Sequence, residues 1–463
     1  MVKRSIILNT DSYKASHYLQ YPPGTSHISS YIEARGGQFK QAVFFGLQMF
    51  IKEYLSKPIT HDDVDEAKDI ITAHGLPFNE AGWRHIVDAH QGFLPIEIQA
   101  IPEGTVIPVL NAMVQVTNTD PQCAWLTSYV ETALLRAVWY PTTVATVSWH
   151  CRKVITKYMT ETCDSLDGID FKLHDFGARG ATTEEAAAIG GAAHLVNFMG
   201  TDTVSAIVAA RQYYNAEMAG FSIPASEHST ITAWGRENEA KAYANMLDQF
   251  SGEGKLVAVV SDSYDLWNAI DNIWGDELKQ RVESTGGTLV VRPDSGDPVA
   301  IVTETIERLM ARFGHSVNSK GYRVLPDCIR VIQGDGISLN TIEAILEAMK
   351  QAGLSADNIA FGMGGELLQK VNRDTLKFAM KASAVTIDGT MHDVYKDPIT
   401  DSGKRSKKGI LAVAQDDEGN FQTIRQQDLG DRQNLLQTVF KNGELVKDTS
   451  FEQVRENAAA HCS

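Results

Sequence analysis

The stretch LVAVVSDSYD at 256–265 decides the fold reading. Its apolar run, Leu256 to Val260, gives way at once to a polar turn carrying Asp262 and Asp265. A short continuous apolar run bounded by turn residues marks a strand buried on both faces. The same unit recurs outward from it, with runs at Phe171 to Leu173, Leu195 to Phe198, Phe221 to Ile223, Leu289 to Val291, Ile329 to Ile332 and Ile359 to Phe361. The turns that follow share a chemistry of glycines and charges: HDFGARG at 174–180, GTDTV at 200–204, RPDSGDP at 292–298, QGDG at 333–336 and FGMGG at 361–365. Helical patterns fill the gaps. Between the last two runs, Ile342, Ile345, Leu346 and Met349 form an apolar stripe, Asn340 with Glu343 reads as a capping box, and Gly353 ends the helix. Such alternation predicts parallel strands with crossover helices. In a barrel all the turns converge on one face, whereas an open doubly wound sheet gathers only those beside its switch point. The expected fold is therefore α/β, an irregular TIM-like barrel over 151–380.

The flanks read differently. Helical stretches at 44–55 and 62–73 and β-like stretches at 94–101 and 105–117 precede the barrel, and a β-rich tail alternates over Ala382 to Ile387 and Ile410 to Val413. Residues 1–150 and 381–463 are expected to pair as a second, mixed α+β domain. The 463 residues include 42 Lys and Arg against 58 Asp and Glu, a net charge of −16, which argues against a general nucleic-acid binder. No apolar run approaches the roughly 18 residues of a membrane span, and Ile6 to Leu8 is too short for a secretory segment. A cytoplasmic protein is expected. Cys123, Cys151, Cys163, Cys328 and Cys462 are widely spaced, reading as reduced thiols without assigned chemistry.

An acidic protein can still handle anions if it concentrates its cations locally. The glycines of FGMGG, opening a helix, would let backbone N–H groups approach a phosphate, or they form a structural turn. Arg179 and Arg292, at two strand ends, suit forked binding of phosphate oxygens, or structural salt bridges. Asp262, Asp265, Asp294, Asp297 and Asp335 are turn formers singly; together they could hold Mg²⁺ on a pyrophosphate, bind ribose hydroxyls and stabilise a cationic sugar. His228, within SIPASEHST at 222–230, is either a surface group or a nucleophile whose tautomer Glu227 or a strand-end Asp would fix. Near the N-terminus, Tyr13 could stack on a flat ring while Asp11 accepts a hydrogen bond. The one charge run, Lys404, Arg405, Lys407 and Lys408, is a phosphate wall or a solvated loop.

TDSYKASHYLQYPPGTS at 10–26, SYIEARGG at 30–37, HLVNFMGTDTV at 194–204, IPASEHSTITAWG at 223–235, AFGMGGELLQK at 360–370 and YKDPITDSGKRSKKG at 395–409, with the turns above, carry a resemblance. The chain resembles the nicotinamide phosphoribosyltransferases over essentially its whole length. The type I phosphoribosyltransferase signature is absent, in keeping with the barrel-containing type II class. The resemblance implies transfer from phosphoribosyl pyrophosphate to nicotinamide, with Mg²⁺ required, ATP as co-substrate, and a homodimer sharing its active sites.

Residue by residue, it implies that Phe176 and Tyr13 of the partner subunit sandwich the ring, with Asp202 accepting from the carboxamide and Arg292 beside it. Asp11, Ser222, Ser261 and Gly334 join that substrate pocket. Asp335 would hold ribose hydroxyls, and Gly364 and Gly365, with the partner's Arg373 and the partner's Lys381, the 5′-phosphate. Arg179, Arg292 and the partner's Arg35 would hold pyrophosphate or ATP phosphates, with Lys396 and Lys404 in the nucleotide wall. His228 would become a phosphohistidine, arranged by Glu227, Asp265 and Asp294, the two aspartates also holding Mg²⁺. Asp202 favours the amide over nicotinate, whose carboxylate it repels. Ala178 stands where relatives commonly carry an aromatic residue, and the segment Arg35 to Phe39 is short. Competing readings are the same transfer to nicotinate, a Mg²⁺-dependent sugar-phosphate hydrolase or kinase, and a relative that only binds nucleotides.

Overall fold

The computed structural model describes residues 5–397, 399 and 406–460. The apolar runs become six parallel strands in the spatial order Gly200–Thr201, Leu173–Asp175, Ile359–Met363, Ile329–Gln333, Thr288–Arg292 and Leu256–Val260. The weak run at Phe221 to Ile223 closes the sheet on itself. Isolated parallel bridges join Gly200 to Phe221 and Ala225 to Ala258, so this segment links the two edge strands. The two edge strands are thereby joined without a full strand between them. The result is the expected irregular barrel. Its interior holds a small apolar cluster of Ala258, Val290 and Ile332, against which Phe176, Ile223 and Ala360 pack.

Two local expectations need correction. Leu195 to Phe198 is not a strand: helix Glu184–Leu195 consumes its start, capped by Thr183 Oγ1 accepting from the Ala186 N–H, and the strand shrinks to Gly200–Thr201. The helix Leu339–Gln351 buries its predicted stripe, but Ser338 and Thr341 form the capping box instead of Asn340 and Glu343. The chain enters extended one residue pair earlier, where a hydroxyl at Ser338 reaches the free Thr341 N–H.

The flanks build a seven-stranded antiparallel sheet ordered Thr390–Asp393, Ala379–Ile387, Thr25–Glu33, Ala112–Asn118, Ile96–Ala100, Gln437–Lys441 and Glu444–Leu445. N-terminal and C-terminal strands thus interleave; Tyr31 stands opposite Lys381 on one side and Gln115 on the other. Helix Glu131–Thr162 leads from this sheet to the barrel and packs against Glu184–Leu195 and Leu339–Gln351. Among the described residues no helix is long and apolar enough to cross a membrane.

Candidate active site

Because the barrel strands are parallel, their C-terminal turns share one end, and most of the chemistry-bearing residues stand there. Phe176 follows directly on Leu173–Asp175, and its N–H donates to the Met363 carbonyl (2.9 Å). Its ring lies so close to the next strand that a Cβ on Gly362 would stand 2.0 Å from it, so only glycine fits there. A Cβ on Gly334 would meet the same ring at 3.3 Å and Asp294 Oδ1 at 3.6 Å. Gly334 thus stands between the aromatic floor and the acids.

Beneath this floor, Asp175 is fully buried and its Oδ1 accepts from the Gly177 N–H (2.7 Å). Burial pushes its carboxyl up to about 6 despite that hydrogen bond. Burial likewise holds the His174 imidazole below its usual range. Asp202 N–H donates to the Asp175 carbonyl (2.9 Å), which sets the Asp202 side chain beside Phe176's turn. That carboxylate is exposed and accepts from Ser222 Oγ at 2.6 Å.

His228 opens the short helix His228–Thr232. Its Nδ1 lies 3.0 Å from Ser263 Oγ, and its Nε2 faces Asp294 Oδ2 at 3.5 Å and Asp262 Oδ1 at 3.8 Å. Asp262 is nearly buried; its Oδ2 accepts from the Asp294 N–H (3.2 Å) and Ser295 Oγ (2.6 Å). Its Oδ1 is buried without a hydrogen-bond partner. Arg292 lies 3.7 Å from Asp294 Oδ2 on the other side, and its own buried Nε is also without a partner. Two orphaned polar atoms of opposite charge in one site are the mark of a place built for a charged ligand.

The partners expected for His228 are therefore replaced in part. The Glu227 carboxylate bonds Ser229 Oγ, and Asp265 caps the next helix by accepting from the Asn268 N–H (3.0 Å). Asp262 and Ser263 stand against the ring instead. Ser261 is a second correction. It is fully buried, its hydroxyl donating to the Val259 carbonyl (3.0 Å) and accepting from Trp274 Nε1 (3.1 Å). It belongs to the barrel wall, and Ala258 is the residue of that strand facing the interior with Phe176.

The glycine turn lies across from Arg179. Gly364 precedes the one-turn helix Gly365–Leu368, and a Cβ on Gly180 would stand 3.6 Å from Gly365 Cα, with nothing within 4 Å of one on Gly365. Arg179 is exposed on the turn Ala178–Gly180, and Asp335 is exposed beside Gly334.

A second group of candidates gathers elsewhere. Arg35, Arg373, Lys381 and Lys396 line one cavity of about 280 Å³ together with Glu131 and Asp374. Burial, then the charge of Arg35, lowers the Lys381 ammonium's affinity for its proton. Among the described residues, Tyr13 joins neither group by a ring contact: its ring packs edge to face on His17 (4.9 Å) and is 56% exposed. Asp11 is tied to helix Glu131–Thr162, accepting from Thr132 Oγ1 (2.7 Å). Lys404 lies outside the described residues.

Residues 171–444 match the nicotinate phosphoribosyltransferase family, and residues 5–98 match the nicotinamide phosphoribosyltransferase N-terminal domain. A nicotinamide phosphoribosyltransferase of Xanthomonas campestris pv. campestris is 54% identical over 98% of both chains. One from Acinetobacter baylyi is 33% identical, covering 97% of this chain and 96% of its own length. The crystal structure of a nicotinate-nucleotide pyrophosphorylase from Pyrococcus furiosus has the same fold, with a TM-score of 0.63 at 15% identity over 98% of this chain and 95% of that one. With the barrel-end acids, the glycine turn and the interleaved sheet all in place, this chain belongs to the nicotinamide phosphoribosyltransferase family.

Proposed function

We propose that the chain is a nicotinamide phosphoribosyltransferase of NAD salvage, converting nicotinamide and phosphoribosyl pyrophosphate to nicotinamide mononucleotide and pyrophosphate. The observation that carries the choice of base is the Asp202 carboxylate, bonded by Ser222 and anchored through its own N–H on the carbonyl of Asp175, the residue before Phe176. It accepts from a carboxamide NH₂ and repels a carboxylate. Phe176 supplies one face of the ring pocket and Arg292 its charged edge. Asp335 takes ribose hydroxyls, while Gly364, Gly365 and Arg179 approach phosphate oxygens.

The donor set at the barrel end fits Mg²⁺ on an observation of its own: Asp262 Oδ1 is orphaned and Asp294 Oδ2 stands across His228 from it. Asp262 and Asp294 would hold the ion, which when bound offsets pyrophosphate charge. Asp294 also faces the sugar carbon, where a carboxylate stabilises developing positive charge. His228 is the acceptor of a phosphoryl group from ATP. Ser263 engages Nδ1, leaving Nε2 as the attacking atom; the Nε2–P bond forms as the bond to the ADP oxygen breaks.

The chain is proposed to act as a homodimer in the cytoplasm. The exposed Tyr13 ring and the cation cavity with Arg35, Arg373, Lys381 and Lys396 then complete the site of the other protomer. Under this reading Tyr13 of the partner subunit covers the nicotinamide face opposite Phe176. Asp202→Asn tests the function directly. The ratio of kcat/KM for nicotinamide over nicotinate should fall about 10- to 100-fold, and an unchanged ratio would refute the specificity argument.

A further inference from the structure

Two histidines, a carboxylate and a buried thiol meet on the antiparallel side of the molecule, in a place the transfer chemistry does not use. His85 lies on helix Glu80–Ala89, whose inner face buries Trp83 and Ile86, and His90 caps its C-terminus. Asp120 caps the turn Pro121–Cys123 that follows the strand Ala112–Asn118, its Oδ1 accepting from the Gln122 N–H at 2.8 Å. Its other oxygen, Oδ2, stands 2.7 Å from His85 Nε2 and 2.6 Å from His90 Nε2. The two rings meet edge to face with centroids 5.5 Å apart. Cys123 is fully buried and its thiol is free. One ligand atom each from His85, Asp120 and Cys123 lies within 4.8 Å of the others.

One carboxylate oxygen can accept from both imidazoles, and that is the metal-free arrangement here. What hydrogen bonding leaves over is the Cys123 thiol, a third kind of donor atom within reach of His85 and Asp120. We propose that His85, Asp120 and Cys123 form the core of a site for a zinc-type divalent cation, with His90, already bonded to Asp120, swinging in as the fourth donor of a tetrahedron. Two nitrogens, one thiolate and one carboxylate are the donors zinc selects, and the two anions balance its charge. Donors of a tetrahedral zinc stand about 3.3–3.7 Å apart, so on loading each imidazole retreats from Asp120 by about 1 Å and His90 closes on the Cys123 thiol. On loading, the thiol proton passes to solvent and each imidazole keeps its proton on Nδ1.

The site would clamp the end of helix Glu80–Ala89 to the turn before helix Leu126–Tyr129. The Tyr129 carbonyl accepts from Thr10 Oγ1 (2.9 Å), at the root of the segment carrying Tyr13. The clamp is therefore structural, beneath a segment that the reaction needs held in place.

The test uses the untagged full chain, stripped with a chelator and reloaded with Zn²⁺ or Co²⁺. One tightly held ion per chain is expected, with the intense visible bands of tetrahedral cobalt and a thiolate charge-transfer band. Zinc should also raise the melting temperature. The His85 and His90 side chains are 25% and 26% exposed, so a double His85→Gln, His90→Gln variant spares the core. It should bind at least about tenfold more weakly and lose the zinc-dependent rise in melting temperature. Cys123→Ser should lose the thiolate band and hold the ion more weakly. No ion retained by the wild-type chain, or a thiolate band that persists unchanged in the double variant, would overturn the proposal.

Discussion

The two charged regions of this chain are built on opposite plans. At the barrel end the groups around His228 are held from within: Asp262 by the Asp294 N–H and Ser295, His228 by Ser263, and Asp294 between His228 and Arg292. In the second cavity four cations face two acids, and one of those, Glu131, is already engaged by Lys14. The first arrangement fixes geometry before a ligand arrives, as chemistry at a single carbon demands. The second stores like-charge repulsion that a bound phosphate would relieve. Under the proposed function, reaction and capture fall to different sheets of one chain.

Breaking the fixed region should cost most. Asp294→Ala is expected to lower kcat by about 10²- to 10³-fold, because it removes a carboxylate that faces His228 and, in the proposed reaction, the sugar carbon. Steady-state assay of nicotinamide mononucleotide formation checks this. A drop confined to KM would reassign Asp294 to simple binding.

His228→Ala separates coupling from transfer. ATP stimulation and the phosphorylated enzyme should vanish, while uncoupled transfer stays within about tenfold of wild type. Retention of full ATP stimulation would remove His228 from the phosphoryl path.

In the capture region, Lys381→Ala should raise KM for phosphoribosyl pyrophosphate by about tenfold with kcat nearly kept, and should flatten the salt dependence of KM. An equal loss in kcat would merge the two regions and break the comparison.

The smallest effect sharpens the picture of the floor. The Asp175 carboxyl sits at about 6 in the folded chain, against about 3.9 when unfolded. Between those values the folded state binds more protons, so stability falls as pH rises through the window, and the whole penalty is present above it. Asp175→Asn lifts the penalty while keeping an acceptor for the Gly177 N–H. Its melting temperature relative to wild type should therefore rise by a few degrees, about 2–4 °C, between about pH 4 and about pH 7. A difference flat with pH would contradict the burial argument.

The same contrast governs what the sequence reveals. Barrel-end residues are legible because each turn directly follows an apolar run, so Asp262, Asp294 and Asp335 announce themselves by position. The register within a turn is not legible. Whether Asp262 or Asp265 faces His228 depends on Asp265 capping the next helix, and Ser261 Oγ accepts from Trp274 Nε1, a partner 13 residues away. The cation cavity has no local signal at all. Arg35 and Lys381 meet because Thr25–Glu33 pairs with Ala379–Ile387 across some 350 residues of chain, a register set by tertiary pairing. Family resemblance pointed to those residues; periodicity did not. Likewise the closing segment near Phe221 lacks a strand's length, and its role follows only from two bridges.

The most direct test of the account incubates the purified protein with phosphoribosyl pyrophosphate and Mg²⁺, adds nicotinamide or nicotinate with and without ATP, and identifies the mononucleotide by mass spectrometry. Nicotinamide mononucleotide from the amide alone, increased by ATP, is the predicted result. Nicotinate mononucleotide as the main product would contradict the reading of Asp202, and no mononucleotide from either base would contradict the proposed reaction itself.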